Sequence, residues 1–434
     1  MLTDLYQLTM AAAYFESRRN EPAVFELSFR RMPLNRSFLV AAGLEQALYY
    51  ITSLRFTAED IAYLRSLEPF RNIDSAFFDY LADFRFTGDV WAVPEGTPVF
   101  PAEPVLQVRA PLIEAQVLET YLLAVLNTQT MVATKGARIV RAARGRGVVD
   151  FGTRRAHGPQ AGLYAARAAY IGGCMGTSNV LAGKQLGIPL YGTAAHSFVM
   201  AFPSELEAFR LYYQVFPQST VLLIDTYDTL EAAKKVKDVG PDVRGVRIDS
   251  GNLLDLSVKV RRILDGTGMQ HVKIFLSGDL NEYKIEELLE QGAPADFFGV
   301  GTELVTSYDD PALSGVYKLV EASDRPVMKI SPGKISSPGR KQVYRFERGG
   351  LFDSDRICLA TEPVPDGGVA LLQLCVRNGK PLAELPSLLE TQKRTACALD
   401  RLPESFHNIH HGAAARVELS TPLTEMMRTL EQSI

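Results

Sequence analysis

Among the residues able to do chemistry, His196 comes first. It closes the run IPLYGTAAHS, where Ala194, Ala195 and Ser197 leave room beside the ring for a substrate. An imidazole so placed suits acid–base or nucleophilic work, or it is a hydrogen-bonded histidine at a strand end. Asp225 in LLIDTYD ends an apolar run, where a carboxylate can fix the tautomer of His196. Its alternative use, capping the helix that begins near Thr229, is better filled by Asp228. Arg247 and Asp249 in GVRIDSGN alternate along one strand and so share a face. Such a pair suits a sugar phosphate, with the acid taking ribose hydroxyls and the guanidinium an anion; a structural ion pair is the other reading. Asp249-Ser250-Gly251 also reads as a turn opening a helix, where Ser250 and Gly251 are expected to bind phosphate.

Three further groups point to anions. Ser277-Gly278-Asp279 and Gly299-Val300-Gly301-Thr302 follow consecutive apolar runs, and glycine there lets backbone N–H groups approach a phosphate. Arg154 and Arg155 follow Phe151-Gly152, so one arginine is placed to grip a planar carboxylate while Phe151 stacks on an aromatic ring. The loop KISPGKISSPGRK offers Lys329, Lys334, Arg340 and Lys341 as a phosphate clamp or as a solvated loop.

These residues require elements that present them together. From residue 111 a long helical stretch gives way to alternating strand and helix patterns, each strand ending in small polar or acidic residues: DFGTR, GTAAHS, DTYD, DSGN, SGD and GVGT. Repeated strand-then-helix units imply a parallel sheet with its site at the carboxyl ends of the strands. The expected fold is α/β: an irregular α/β barrel over 111–328, beside an α/β sandwich domain built from 1–110 and 329–434. In the sandwich, VFELSFRRMP reads as a strand, LVAAGLEQALYYI as a helix, Gly349-Gly350 as a hairpin turn, LLQLCVRNGKPL as a second hairpin, and the tail as helices.

A net charge of -4 argues against nucleic acid or an anionic membrane as the main partner. No apolar run approaches the roughly 20 residues of a membrane span, and MLTDLYQLTM lacks the pattern of a signal peptide. The four cysteines form no CxxC pair, which fits a cytoplasmic protein without a structural zinc. His407, His410 and His411 do not form a recognisable metal-ligand pattern, so no protein-held metal is expected.

The motifs TDLYQLTM, FGTRRAHGPQAGLYAARAAYIGG, GTSNVLAG, GTAAHSFVM, IDTYDT, GVRIDSGN, SGDLNE, GVGTELVTS and GRKQVYRF together resemble the nicotinate phosphoribosyltransferase family over almost the whole chain. The resemblance implies conversion of nicotinate and phosphoribosyl pyrophosphate (PRPP) to nicotinate mononucleotide and pyrophosphate, coupled to ATP hydrolysis with Mg²⁺, in a homodimer with shared active sites. It implies a phosphorylated His196, an orienting Asp225, and Arg154 in a nicotinate pocket with Gly152. It also implies Arg247 near carboxylate or phosphate, Asp249 on ribose, Gly278 and Gly301 on the 5′-phosphate, and Tyr6 stacking from the neighbouring subunit. Met175 and Asn252 stand where that family commonly has aspartate. The loop Met175-Gly176-Thr177-Ser178-Asn179 contains no acid to receive an amide, which favours a carboxylate substrate over nicotinamide. Nicotinamide or quinolinate transfer, or silent binding of a sugar phosphate, are the competing readings.

Overall fold

The computed structural model describes residues 1–331 and 336–433. The chain forms two compact units, residues 1–131 with 312–434, and residues 132–311. It leaves the first unit within the helix Glu119–Ala142 and re-enters it just before the strand Gly315–Ala322. The unit boundaries therefore differ from the expected 110/111 and 328/329. Strand Gly315–Ala322 pairs antiparallel with Pro22–Phe29, from Ala322 opposite Ala23 to Gly315 opposite Phe29, which ties it to the N-terminal segment.

The 132–311 unit is built on a six-stranded sheet with parallel pairing throughout. Its order is Gly176–Thr177, Gly147–Asp150, Phe297–Val300, Lys273–Leu276, Gly245–Ile248 and Val221–Leu223. This is the expected α/β barrel in an open, half-barrel form. The strand expected at IPLYGT is reduced to a bridge between Leu190 and Thr177. Pro189 has no N–H to donate and Gly192 carries no side chain, so pairing stops after Tyr191.

The alternation within each strand explains which face is which. Val246 and Ile248 are fully buried, while Arg247 between them is only partly covered. In a parallel sheet, residues in register point the same way, and Leu223, Arg247, Phe275 and Phe297 occupy one row. That row faces the site. Past the strand ends, short polar side chains start the following helices. Asp228 accepts from the N–H groups of Leu230 and Glu231, Asn252 from Asp255 and Asn281 from Lys284. Each satisfies otherwise unpaired helix donors and fixes where its loop ends. Asp228 is thus the cap, as expected, which leaves Asp225 for the site, and Asn252 has a structural role.

The other unit holds a seven-stranded antiparallel sheet, ordered Arg325–Pro326, Gly315–Ala322, Pro22–Phe29, Pro104–Pro111, Asp89–Ala92, Gln373–Arg377 and Lys380–Pro381. A second sheet contains the hairpin Lys341–Arg348 and Leu351–Leu359, turning at Gly349-Gly350 as expected. The run LVAAGLEQALYYI splits into strand Leu39–Val40 and helix Leu44–Ser53, because Gly43 at φ +102 reverses the chain between them.

The expected basic clamp is corrected here. The Lys341 ammonium is buried 2.8 Å from Glu26 Oε2 and donates to the carbonyls of Ser337 and Gly339, so it anchors two sheets and is not a phosphate ligand. Burial pulls its pKa below the usual lysine value, partly offset by Glu26. The Arg340 guanidinium lies 5.1 Å over the ring of Trp91. Lys334 lies outside the described residues. Among the described residues no helix is long and apolar enough to cross a membrane, and no three His, Cys, Asp or Glu side chains converge as metal ligands.

Candidate active site

His196 opens the short helix His196–Met200, after the extended residue Ala195. Its Nδ1 lies 3.1 Å from the Thr226 hydroxyl. Its Nε2 faces two carboxylates, Asp225 Oδ1 at 3.9 Å and Asp249 Oδ2 at 4.0 Å. These separations orient the ring electrostatically and lie just beyond hydrogen-bond reach. Asp225 is almost wholly buried. Its Oδ2 accepts from the backbone N–H of Asp249 and from the Ser250 hydroxyl. Its Oδ1 has no hydrogen-bond partner. A buried acceptor left open costs free energy, and this one points toward the imidazole.

Arg247 is held on every side. Nε donates to Ser277 Oγ at 2.8 Å, Nη1 to Thr193 Oγ1 at 2.9 Å and Nη2 to Asp249 Oδ1. Its guanidinium lies 5.2 Å over the Phe151 ring. Phe151 stacks on Phe275 at 5.6 Å, and Phe275 on Phe297 at 5.9 Å, so an aromatic column supports the cation. Burial would raise the Asp249 carboxyl. The Ser277 hydrogen bond and the charges of Arg247 and His196 outweigh it and hold the group below the usual carboxylate range. Asp249 is therefore an anion at neutral pH.

Two adjoining cavities share Phe151, Arg154, Arg247 and Asp249. One, of about 350 Å³, also reaches Ser178, Thr193 and His196. The other, of about 240 Å³, reaches Arg155, Ser277, Gly278, Asp279, Gly301 and Thr302. Neither Arg154 nor Arg155, both on the short turn Thr153–Arg155, has an ion-pair partner among the described residues. The arginine pair is thus aimed at the cavities and not tied to a helix.

Two glycines permit close approach. Gly278 has φ +100, and a Cβ there would lie 2.1 Å from the Asp249 carbonyl oxygen. A Cβ on Gly152 would lie 2.1 Å from Val305 Cγ1. Gly299 also lines the second cavity, but the space its side chain would fill is taken by the Phe151 ring, which would sit 2.6 Å from a Cβ. Gly278→Ala is expected to lower stability by ~2 kcal/mol or more, through left-handed strain and the clash. Urea unfolding would measure it, and an unchanged midpoint would mean the loop rearranges freely.

Most expected site residues are thus brought together: His196, Asp225, Asp249, Arg247, Phe151, Arg154, Ser277, Gly278, Asp279, Gly301 and Thr302. Ser250 spends its hydroxyl on Asp225, and Gly251 at φ +80 makes the turn behind it, so neither presents a phosphate donor. Ser197 is exposed on the helix after His196 and does not line the cavities. Tyr6 belongs to the other unit, half exposed on the helix Leu5–Glu16. Thr193, Thr226 and Asp150 were not singled out from the sequence, although all three lie at strand carboxyl ends or the loops after them. Asp150 is fully buried, accepts from the Gly152 N–H at 2.8 Å and the Thr177 hydroxyl at 2.7 Å, and so shapes the turn that carries Arg154. Burial raises its pKa against those two bonds.

A parallel half-barrel that gathers an imidazole, two carboxylates, several arginines and an aromatic ring at its carboxyl edge defines an α/β protein with its candidate site at the strand ends. Comparison with known proteins makes this specific. Residues 1–127 match the nicotinate phosphoribosyltransferase (NAPRTase) N-terminal domain, and residues 147–348 match the nicotinate phosphoribosyltransferase (NAPRTase) family. A nicotinate phosphoribosyltransferase of Mycobacterium tuberculosis is 45% identical over 94% of this chain and 89% of its own length. One from Bacillus subtilis is 43% identical over 84% of this chain and 77% of its own. The crystal structure of human nicotinic acid phosphoribosyltransferase superposes with a TM-score of 0.89 at 30% identity, covering 99% of this chain and 100% of that one. The chain belongs to the nicotinate phosphoribosyltransferase family.

Proposed function

We propose that the protein transfers the phosphoribosyl group of PRPP to the ring nitrogen of nicotinate, giving nicotinate mononucleotide and pyrophosphate, with hydrolysis of ATP through a phosphorylated His196. The observation that carries this reading is the imidazole faced by two carboxylates, beside arginine-lined cavities floored by Phe151, in a chain of this family. Departure of pyrophosphate leaves positive charge at the ribose C1. Asp249, held as an anion, stabilises that charge and accepts ribose hydroxyls. Arg247 and Arg154 take anionic groups of the substrates, and Phe151, its ring faces already covered by Arg247 and Phe275, supplies an apolar edge against which the pyridine rests. Because the carboxylates face Nε2, that nitrogen carries the proton and Nδ1 keeps the lone pair, with the Thr226 hydroxyl as its donor. Nδ1 is then the nitrogen that takes the γ-phosphoryl group of ATP as ADP leaves, and water later cleaves the N–P bond to release phosphate and restore the imidazole.

Mg²⁺ enters this scheme as an ion carried by the substrates' phosphates. It would neutralise the leaving pyrophosphate. Two further expectations, a cytoplasmic location and a homodimer, fit features of the molecule. Free thiols at all four cysteines suit the cytoplasm. Exposed Leu2, Leu5, Tyr6 and Met10 along one N-terminal segment suit a homodimer in which Tyr6 serves the neighbour's site.

The test is mononucleotide formation from PRPP and Mg²⁺ with nicotinate or nicotinamide, each with and without ATP. ATP-stimulated product from nicotinate alone supports the reading. Product from nicotinamide would overturn the carboxylate pocket, and binding of PRPP without any product would favour a silent binder. Arg154→Ala is expected to raise the KM for nicotinate about 10- to 100-fold, the worth of a charge-assisted contact, with the KM for ATP little changed. Equal effects on both would mean a structural arginine.

A further inference from the structure

Behind the phosphate-facing loops lies a buried cluster of charges that the reaction scheme leaves unused. Lys135, on the helix Glu119–Ala142, is fully buried. Its Nζ lies 2.7 Å from Glu282 Oε2, 2.9 Å from Asp309 Oδ1 and 4.0 Å from Glu303 Oε2. Arg138, one turn further on, pairs its Nε with Glu282 Oε1 at 2.9 Å and donates to the Tyr283 hydroxyl at 3.1 Å. Burying so many charges is expensive, and apolar residues of similar volume usually serve stability as well. A reason other than stability is needed for such a hub.

Its attachments supply one. Glu282 opens the helix Glu282–Glu290, three residues after Asp279. Glu303 directly follows Thr302 at the start of the helix Thr302–Thr306. Asn281 caps the first of these helices, accepting from the Lys284 N–H through Oδ1. Lys284 reaches back to the Asp279 carbonyl at 2.7 Å. The first loop includes two left-handed residues, Gly278 at φ +100 and Asp279 at φ +46, a conformation that needs outside support. The second helix also carries Val305, which packs into the space left by Gly152. A single ammonium therefore ties both phosphate-facing loops to one long helix.

We infer that Lys135 is a positioning residue: it sets the spacing between the Gly278-Asp279 and Gly301-Thr302 loops, and so the affinity for the phosphoribosyl phosphate. This rests on the proposal that those loops bind PRPP. Displacement of such loops by a fraction of an ångström has large effects on binding while the reacting groups stay in place. The experiment compares Lys135→Met and Glu303→Gln with the unaltered protein, measuring PRPP binding by calorimetry, KM for PRPP and for nicotinate, kcat, and melting temperature. The expected result is a rise in PRPP Kd and KM of about tenfold or more for Lys135→Met and about threefold for Glu303→Gln. In both, kcat and the KM for nicotinate stay within about twofold. A variant that loses melting temperature yet binds PRPP normally would overturn the proposal, as would equal rises in both KM values. If Lys135→Met fails to fold, Glu303→Gln decides, since its side chain is at the edge of the cluster, 4.0 Å from Lys135. Failure of the unaltered protein to bind PRPP would instead sink the reading of the loops themselves.

Discussion

His196→Ala is expected to leave the fold intact and to eliminate both ATP hydrolysis and the phosphorylated protein. The residue is partly exposed on a five-residue helix, and its ring makes one side-chain hydrogen bond, to Thr226, so little stability depends on it. What is lost is the only ring nitrogen that two carboxylates face in this site. Removing a positioned acid–base or nucleophilic group costs about 10²- to 10⁴-fold, and the ATP-stimulated rate should fall by at least that much. A small ATP-independent rate should persist, because Arg247 and Asp249, the residues proposed to hold the ribose and an anionic group, are untouched by the substitution. The readouts are ADP release and acid-labile phosphate on the protein. ATP hydrolysis at the unaltered rate would remove His196 from the scheme.

Asp249→Asn is expected to have the second largest effect, a fall in kcat of about 10²- to 10³-fold. The reason is one of sign. Asp249 balances Arg247 and, in the proposed reaction, faces the position where positive charge develops at C1. An amide of the same shape leaves Arg247 uncompensated, so a charge that was screened now repels the transition state. Asp249 is partly exposed, and the replacement should shift the melting temperature only slightly. Its ionisation also gives a pH prediction. Because its pKa is depressed, the carboxylate stays charged as acidity increases, and protonation is reached only below the usual carboxylate range. Activity lost through this group should therefore fall off on the acid side of ordinary aspartate values. An Asp249→Asn enzyme with unaltered kcat would remove the carboxylate from the chemistry.

Much of this site was legible in the sequence because a parallel sheet repeats one rule. Functional side chains gather where strands end, so DFGTR, DTYD, DSGN, SGD and GVGT announced their positions. The alternation in GVRIDSGN was enough to put Arg247 and Asp249 on one face, and Asp228 was recognisable as the cap. Three things were less accessible. Lys341 looks in sequence like one of a run of loop cations, yet it pairs with Glu26, more than three hundred residues away along the chain; burial of a lysine depends on the partner, which local sequence does not reveal. The strand at IPLYGT was overread, because an apolar run suggests pairing while proline and glycine withdraw the means for it. The domain boundary moved because Gly315–Ala322 carries no mark of its partner strand; pairing of distant strands is a tertiary decision. The Lys135 cluster was invisible for the same reason, its members spread from residue 135 to residue 309.

The insertion of one unit within the other has a consequence for how the chain is made. Ala23 must find Ala322 before the seven-stranded sheet is complete, a separation of 299 residues from their numbers. At about 5–20 residues per second, the ribosome needs roughly 15–60 s to deliver the second strand after the first. Throughout that interval one long edge of Pro22–Phe29, five of whose residues end up buried in succession, has no strand to pair with. The half-barrel, whose strands lie within residues 147–300, can complete its own pairing first. Newly made chains should therefore depend on chaperones chiefly through their N-terminal segment, and loss of the last third should leave aggregation-prone product rather than a smaller folded enzyme.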